Sequence, residues 1–321
     1  MERRNFLKLF AAGTVVTTGG QLIWRTHEEP LAAGYEDMSA NPSEMFESIR
    51  FMSTAAPDSK EFLTSFRVGT PTPAVTVAKP TNKLRKYLTK MDNFEHAHGE
   101  DVYLDSQRFP LLVSSFKRLD RVQNLVGHGN FNVLSFDEMR VYGKRYRSIG
   151  AFSRAELDFL EETFSDNVSR YGFFGEKVTT ELTMVVPNKD RIKVPRTGHF
   201  LFKGDSYRLY GKVKKDLGSE IVLTSGIRSI VKQTHLFLAK TIQTKGNLSQ
   251  ASRSLAPPGH SFHGVGDFDV GKVGFGRKNF TSEFARTKEF RKLVDLGYVN
   301  MRYPQDNLLG VRYEPWHIKV V

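Results

Sequence analysis

Runs of apolar and polar residues divide the chain into a patterned part and a part with little pattern. From residue 109 onward apolar positions recur at helical spacing: Leu111, Leu112, Phe116, Leu119, Val122 and Leu125 predict a helix over 109–126, stopped near Gly127. Ser135-Phe136-Asp137-Glu138 has the form of a capping box, as does Ser153-Arg154-Ala155-Glu156. The second opens a helix whose face carries Leu157, Leu160, Phe164 and Val168, with Gly172 after its end. Beyond it the elements alternate. Helices are predicted over Asp205–Leu217 (closed by Gly218), Val231–Thr244 (ended by Gly246) and Thr281–Leu296 (closed by Gly297). Short apolar runs at Glu220–Thr224 and Phe268–Val273 read as strands. Val311–Val321 reads as a final strand, because Pro315 excludes a helix interior. Mixed helices and short strands imply an α+β class.

Residues 34–105 lack such periodicity, and Pro71, Pro73 and Pro80 mark extended or linker chain. The run Glu95-His96-Ala97-His98-Gly99-Glu100-Asp101 contains metal-ligating residue types, but a solvated polar loop is the favoured reading. The chain begins Glu2-Arg3-Arg4-Asn5-Phe6-Leu7-Lys8, followed by a mildly apolar, glycine-interrupted stretch from Leu9 to Trp24. Adjacent arginines before such a stretch resemble a twin-arginine export signal. The stretch is short and Gly/Thr-rich for a span, which needs roughly 20 mostly apolar residues. The expected organisation is therefore a signal segment over 1–33, an accessory or linker region over 34–150, and a catalytic domain over 151–321. Export to the periplasm or cell envelope is expected with it.

Composition narrows the chemistry. With 47 Lys and Arg against 35 Asp and Glu in 321 residues, the formal charge is +12, which calls for an anionic neighbour such as a wall polymer or membrane surface. No zinc-finger or RNA-binding aromatic motif is present, so no nucleic-acid partner is expected. The chain has no cysteine, which excludes disulfides, thiolate-held zinc and iron–sulfur clusters. Any metal site must come from His, Asp and Glu.

Three segments supply the parts for one. They are Ser225-Gly226-Ile227-Arg228-Ser229; the stretch from Pro257 to Asp269, with His260, Ser261, His263, Asp267 and Asp269; and Tyr313-Glu314-Pro315-Trp316-His317. A hydrolytic zinc site without cysteine needs about three N/O ligands, an open position and a nearby carboxylate. His263, Asp269 and His317 offer the ligands, and Glu314 offers the proton acceptor. Arg228 offers a planar fork suited to a carboxylate. A dinucleotide reading of Gly264-Val265-Gly266 fails, since Asp269 occupies the third glycine position and no helix is predicted to open there.

These segments resemble the zinc D-alanyl-D-alanine carboxypeptidases of the vancomycin-resistance type, whose pattern is Ser-Gly-x-Arg-Ser, then Pro-Gly-x-Ser-x-His-x-x-Gly-x-Ala-x-Asp, then Glu-x-Trp-His. Ser225 to Ser229 match the first motif. Pro258, Gly259, Ser261, His263 and Gly266 match the second, and Glu314, Trp316 and His317 the third. Gly297-Tyr298 and Arg302-Tyr303-Pro304 resemble the segment before the final strand. The resemblance covers roughly 150–321. It implies a small, mostly antiparallel sheet flanked by helices around a zinc cleft, with His263, Asp269 and His317 as zinc ligands and Glu314 as base. Arg228 would polarise the scissile carbonyl or clamp the terminal carboxylate, and Ser261 and Gln233 would line the substrate cleft. The substrate would be a peptidoglycan stem peptide; the alternatives are a D,D-endopeptidase, an L,D-carboxypeptidase or a non-catalytic wall-binding homologue. One departure stands out. The pattern sets its aspartate seven residues after the histidine, whereas Asp269 follows His263 by six and Asp267 by four. Asp269 aligns by its right flank, Val270-Gly271, and leaves Asp267 as the alternative ligand or a partner to a ligand histidine.

Overall fold

The computed structural model describes residues 82–321, and the export-like segment and Pro71, Pro73 and Pro80 lie outside that range. The helices are α1 (Asn82–Asp92), α2 (Phe109–Val126), α3 (His128–Phe131), α4 (Phe136–Arg145), α5 (Arg154–Ser165), α6 (Asp205–Leu217), α7 (Ile230–Gln243), α8 (Leu248–Ser254) and α9 (Lys288–Asp295). The strands are β1 (Arg191–Lys193), β2 (Phe200–Phe202), β3 (Ile221–Ser225), β4 (Phe268–Lys272) and β5 (His317–Ile318). β1 and β2 form an antiparallel pair; β3, β4 and β5 form a second antiparallel sheet in that order. The class is α+β, as the pattern predicts.

Local chemistry accounts for the boundaries. Both capping boxes form: Ser135 and Ser153 each accept from the amide three residues on, and Glu138 and Glu156 reach back to the cap amides. Gly127 ends α2 at a positive φ of 80°. Four expectations are corrected. The run at 82–92 is a helix, with an amphipathic pattern too short and lysine-rich to read so soon after Pro80. The helix expected over Thr281–Leu296 is two pieces, a 3-10 turn at Ser282–Arg286 and α9, because Thr287 caps the second by accepting from the Phe290 amide. The strand expected over Val311–Val321 shrinks to two residues. Likewise Asp166 ends α5, and Val168 lies in a following 3-10 turn.

Two apolar cores flank the functional region. One joins α6, the three-stranded sheet and α9 through Val213, Leu223, Phe268, Val270, Leu293 and Ile318. The other joins α2, α5 and α7 through Leu112, Leu119, Leu160, Val231 and Leu238. Strand β3 belongs to the first core and α7 to the second, so the link between them, Gly226–Ser229, is held at both ends. Among the described residues no helix is long and apolar enough to cross a membrane.

The Glu95–Asp101 run does not gather ligands. The Asp101 side chain is buried and takes a two-point bond from Arg253 at 2.8 and 2.9 Å, with further bonds from Asn247 and the His98 amide. Arg253 also donates to the His96 carbonyl. This part of the loop is therefore a clasp onto α8, and the solvated reading fails at Asp101.

Candidate metal centre

Sheet register brings the separated motifs together. Asp269 on β4 pairs with His317 on β5 and with Ser225 at the end of β3, beside a register shift in that strand. His263 lies in a short 3-10 turn just before β4. As a result, ligand atoms of His263, Asp269 and His317 all lie within 4.8 Å of one another, and all three residues are buried. Among the described residues this is the one such group of His, Asp and Glu.

The histidines are oriented by their other ring nitrogens. His263 Nδ1 lies 2.8 Å from the Gly226 carbonyl. A carbonyl only accepts, so Nδ1 carries the proton and Nε2 keeps its lone pair. That Nε2 lies 3.2 Å from Asp269 Oδ1, yet both atoms are buried without a hydrogen bond. His317 Nε2 lies 3.0 Å from Asp267 Oδ2, and its Nδ1 lies 3.2 Å from Asp269 Oδ1. A buried imidazole nitrogen and a buried carboxylate oxygen without partners, His263 Nε2 and Asp269 Oδ1, are costly unless something accepts them. Their N/O donor set suits zinc, so the residues present fit the ion.

The choice between the aspartates follows from their partners. Asp267 has both oxygens taken, by Arg302, His317 and the amides of Val320 and Val321. Asp269 gives Oδ2 to Arg228 at 2.6 Å and leaves Oδ1 open to the centre. Charge state does not separate the two, since burial raises the Asp267 carboxyl but the bonds from His317 and Arg302 outweigh it and bring it down to about 2. Burial, with the Arg228 cation adding, pulls His263 down to about 4, which keeps it a neutral ligand. For His317 burial opposes the charge, but the bonds to Asp267 and Asp269 outweigh it and push the metal-free ring up to about 9. Burial raises Asp269, but the neighbouring His263 and Arg228 overcome it and hold the carboxyl well below its usual range.

Around this centre stand the other predicted residues. Glu314 Oε2 lies 3.9 Å from His317 Nδ1, and burial raises the Glu314 carboxyl against the partial relief of Arg312 and His317. Arg228 Nε donates to Ser225 Oγ at 2.9 Å, so the guanidinium is fixed at two points, one of them on Asp269. Gln233 on α7 donates to the Ala256 carbonyl, which leaves its Oε1 buried and unpartnered. Arg228, Gln233, Ser261, His263, Glu314 and His317 all line one cavity of about 20 Å³, closed by Leu255, Ala256, Tyr303 and Val311. That volume has room for a single water.

The sequence reading passed over Arg312. It is buried between the ring faces of Phe94 and Trp316, 4.7 and 4.8 Å from their centroids, with Nε 3.9 Å from Glu314 Oε1. Its position next to Tyr313-Glu314 was the available signal, but nothing in the linear sequence showed that Phe94 would cover it. His260, adjacent to Ser261, turns away instead, with Nδ1 at 3.1 and 3.0 Å from the Gly175 and Glu176 carbonyls.

Residues 207–321 match the family model described as VanY: D-alanyl-D-alanine carboxypeptidase, so the C-terminal part of the chain carries a VanY-type domain. Three solved structures are similar over parts of the chain. The LdcB LD-carboxypeptidase, whose structure concerns peptidoglycan recognition, is 22% identical over 40% of this chain and 63% of its own, with a TM-score of 0.34. VanYB in complex with D-alanine-D-alanine is 22% identical over 42% of this chain and 81% of its own, with a TM-score of 0.34. A variant of the vancomycin-resistance D,D-pentapeptidase VanY from the VanB-type cassette, in complex with Zn(II), is 21% identical over 42% and 82%, with a TM-score of 0.32. The chain thus spans less than two thirds of the length of LdcB. No curated protein matches the chain.

Proposed function

We propose that the chain is a zinc-dependent D,D-carboxypeptidase that removes the terminal D-alanine from peptidoglycan stem peptides. The observation that carries this reading is the convergence of buried, inward-facing atoms of His263, Asp269 and His317 beside an acidic side chain, Glu314. The VanY match over 207–321, which includes all four residues, gives the reaction class.

His263 Nε2, Asp269 Oδ1 and His317 Nδ1 would hold the ion. A zinc ion so held supplies Lewis acidity and makes water a nucleophile near neutral pH. Glu314 takes the proton of the attacking water on its carboxylate and returns it to the nitrogen of the departing D-alanine. Its burial favours the protonated form, which suits a group that must both accept and give a proton. Arg228 has two of its donors committed to Ser225 and Asp269; the remaining guanidinium N–H groups bind the substrate's carbonyl or terminal carboxylate oxygen. Gln233 Oε1 accepts from a peptide N–H, and Ser261 lines the same cleft. Action on peptidoglycan places the protein in the periplasm or cell envelope, with Arg3-Arg4 as the candidate export address, and the +12 charge favours an anionic wall or membrane surface there.

The test is release of free D-alanine from a stem peptide ending in D-Ala-D-Ala, with and without a chelator. Chelator-sensitive release is expected from the zinc-loaded protein, and its absence under zinc-replete conditions overturns the reading. Glu314→Gln is expected to keep zinc and lose turnover; full activity in that variant removes Glu314 from its role.

A further inference from the structure

Asp267 belongs neither to the ligand set nor to the cleft wall, yet it is among the most heavily bonded side chains near the centre. It lies just before β4, and its side chain is fully buried. Oδ2 accepts from Arg302 Nε at 2.5 Å and from His317 Nε2 at 3.0 Å. Oδ1 accepts from the Val320 amide at 2.7 Å, the Val321 amide at 3.3 Å and Arg302 Nη2 at 3.4 Å. Arg302 also donates to the Val321 carbonyl and stacks on Phe262, 3.3 Å above the ring centroid.

We propose that Asp267 is a positioning residue for the metal centre: it holds the His317 ring in the one tautomer and rotation that aims Nδ1 at the ion, and it couples that ring to the last two residues of the chain. This rests on the reading of His263, Asp269 and His317 as a metal centre. An ionised carboxylate only accepts, so His317 Nε2 must carry a proton, and in the neutral, metal-binding form of the ring the lone pair is therefore on Nδ1. Such outer partners fix ring orientation and ligand basicity. The two histidines differ here. His263 is held by a backbone carbonyl, whereas the orientation of His317 depends on a side chain. Arg302 neutralises Asp267 as Arg228 neutralises Asp269. With both oxygens taken, Asp267 is kept from competing for the ion.

Full-length Asp267→Asn and Asp267→Ala are tested for zinc affinity by chelator competition, with Arg302→Gln alongside. Zinc binding is expected to weaken about tenfold in Asp267→Asn, which keeps an acceptor, and about a hundredfold in Asp267→Ala. Arg302→Gln, which spares the Asp267–His317 bond, is expected to fall less than either. The cobalt-loaded protein supplies a second readout, the shifted, exchange-protected imidazole N–H signals in its proton spectrum. Wild type is expected to show one from each histidine. In Asp267→Ala the His317 signal is lost to solvent exchange while the His263 signal stays, a selective change that general destabilisation does not produce. If Asp267→Ala does not fold, the near-isosteric Asn variant decides by the same two measurements. Wild-type affinity in the folded variants with both signals retained overturns the proposal. Zinc uptake by the wild type without D-alanine release overturns only the peptidase reading, and a wild-type chain that takes up no zinc overturns both.

Discussion

Asp267 and Asp269 are two positions apart, both buried, and chemically unlike in their surroundings. Asp267 is saturated by donors; Asp269 keeps one oxygen open toward two imidazoles. Arg228 shows the same dependence on partners. Its side chain bridges Ser225 and a proposed metal ligand, so it both supports the centre and faces the cleft. A lysine supplies one point charge and cannot reproduce that fork. Arg228→Lys is accordingly expected to keep zinc stoichiometry near wild type and to lower turnover by about 10²-fold, the scale of losing one transition-state donor. Metal analysis alongside steady-state D-alanine release checks both parts, and undiminished turnover removes Arg228 from the reaction.

At the scale of elements, the link between β3 and α7 sets the geometry. Ser229 caps α7 by accepting from the Lys232 amide, and Gly226 turns its carbonyl to His263. A side chain cannot be added at Gly226, because its Cβ would meet the Phe200 carbonyl oxygen at 2.0 Å. That carbonyl is itself bonded to the Ile227 amide at 2.8 Å, so neither side yields cheaply. Gly226→Ala should destabilise the metal-free protein by about 1–3 kcal/mol, as overpacking does. It should also weaken zinc binding, because the His263 acceptor moves with the link. Denaturant unfolding and zinc titration of the same variant test this, and unchanged values in both would show that the link is not a rigid support.

For the whole molecule, the segment from Phe94 to Tyr103 lies over α8 and the loop before β5. Phe94 covers Arg312, Tyr103 bridges to Asn247, and Asp101 clasps Arg253. Leu255 and Val311, which close the small cavity, flank the residues so held, and the Arg312 amide bonds to the Arg253 carbonyl. Removing one partner of a buried pair strands the other, so Asp101→Asn should cost about 3–5 kcal/mol at neutral pH. Burial raises the Asp101 carboxyl, but Arg253 and the other donors outweigh it and bring it to about 2. A depressed acid stabilises the fold above its unfolded value of about 3.9, and that contribution disappears as pH falls toward the folded value. Wild type should therefore lose stability between about pH 4 and pH 2 more steeply than Asp101→Asn. Parallel denaturation curves across that range would exclude the clasp as a source of acid sensitivity.

Short-range signals carried much of this protein in the sequence itself. Helix periodicity over 109–126, the two capping boxes and the glycine stops depend on neighbours within a turn or two, so they read directly from the chain. The motif residues Arg228, His263, Glu314 and His317 were legible for the same reason, as residue types in local patterns. The helix at 82–92 was not, because its pattern is short and lysine-rich, nor was the break at Thr287, because a local cap interrupts an otherwise continuous apolar periodicity, nor the shortness of β5, because the extent of a strand depends on its pairing with β4. Only the tertiary structure separated Asp269 from Asp267 and set Phe94 over Arg312. A ligand is defined by which lone pair is left free, and that depends on donors 35 to 54 residues away in sequence.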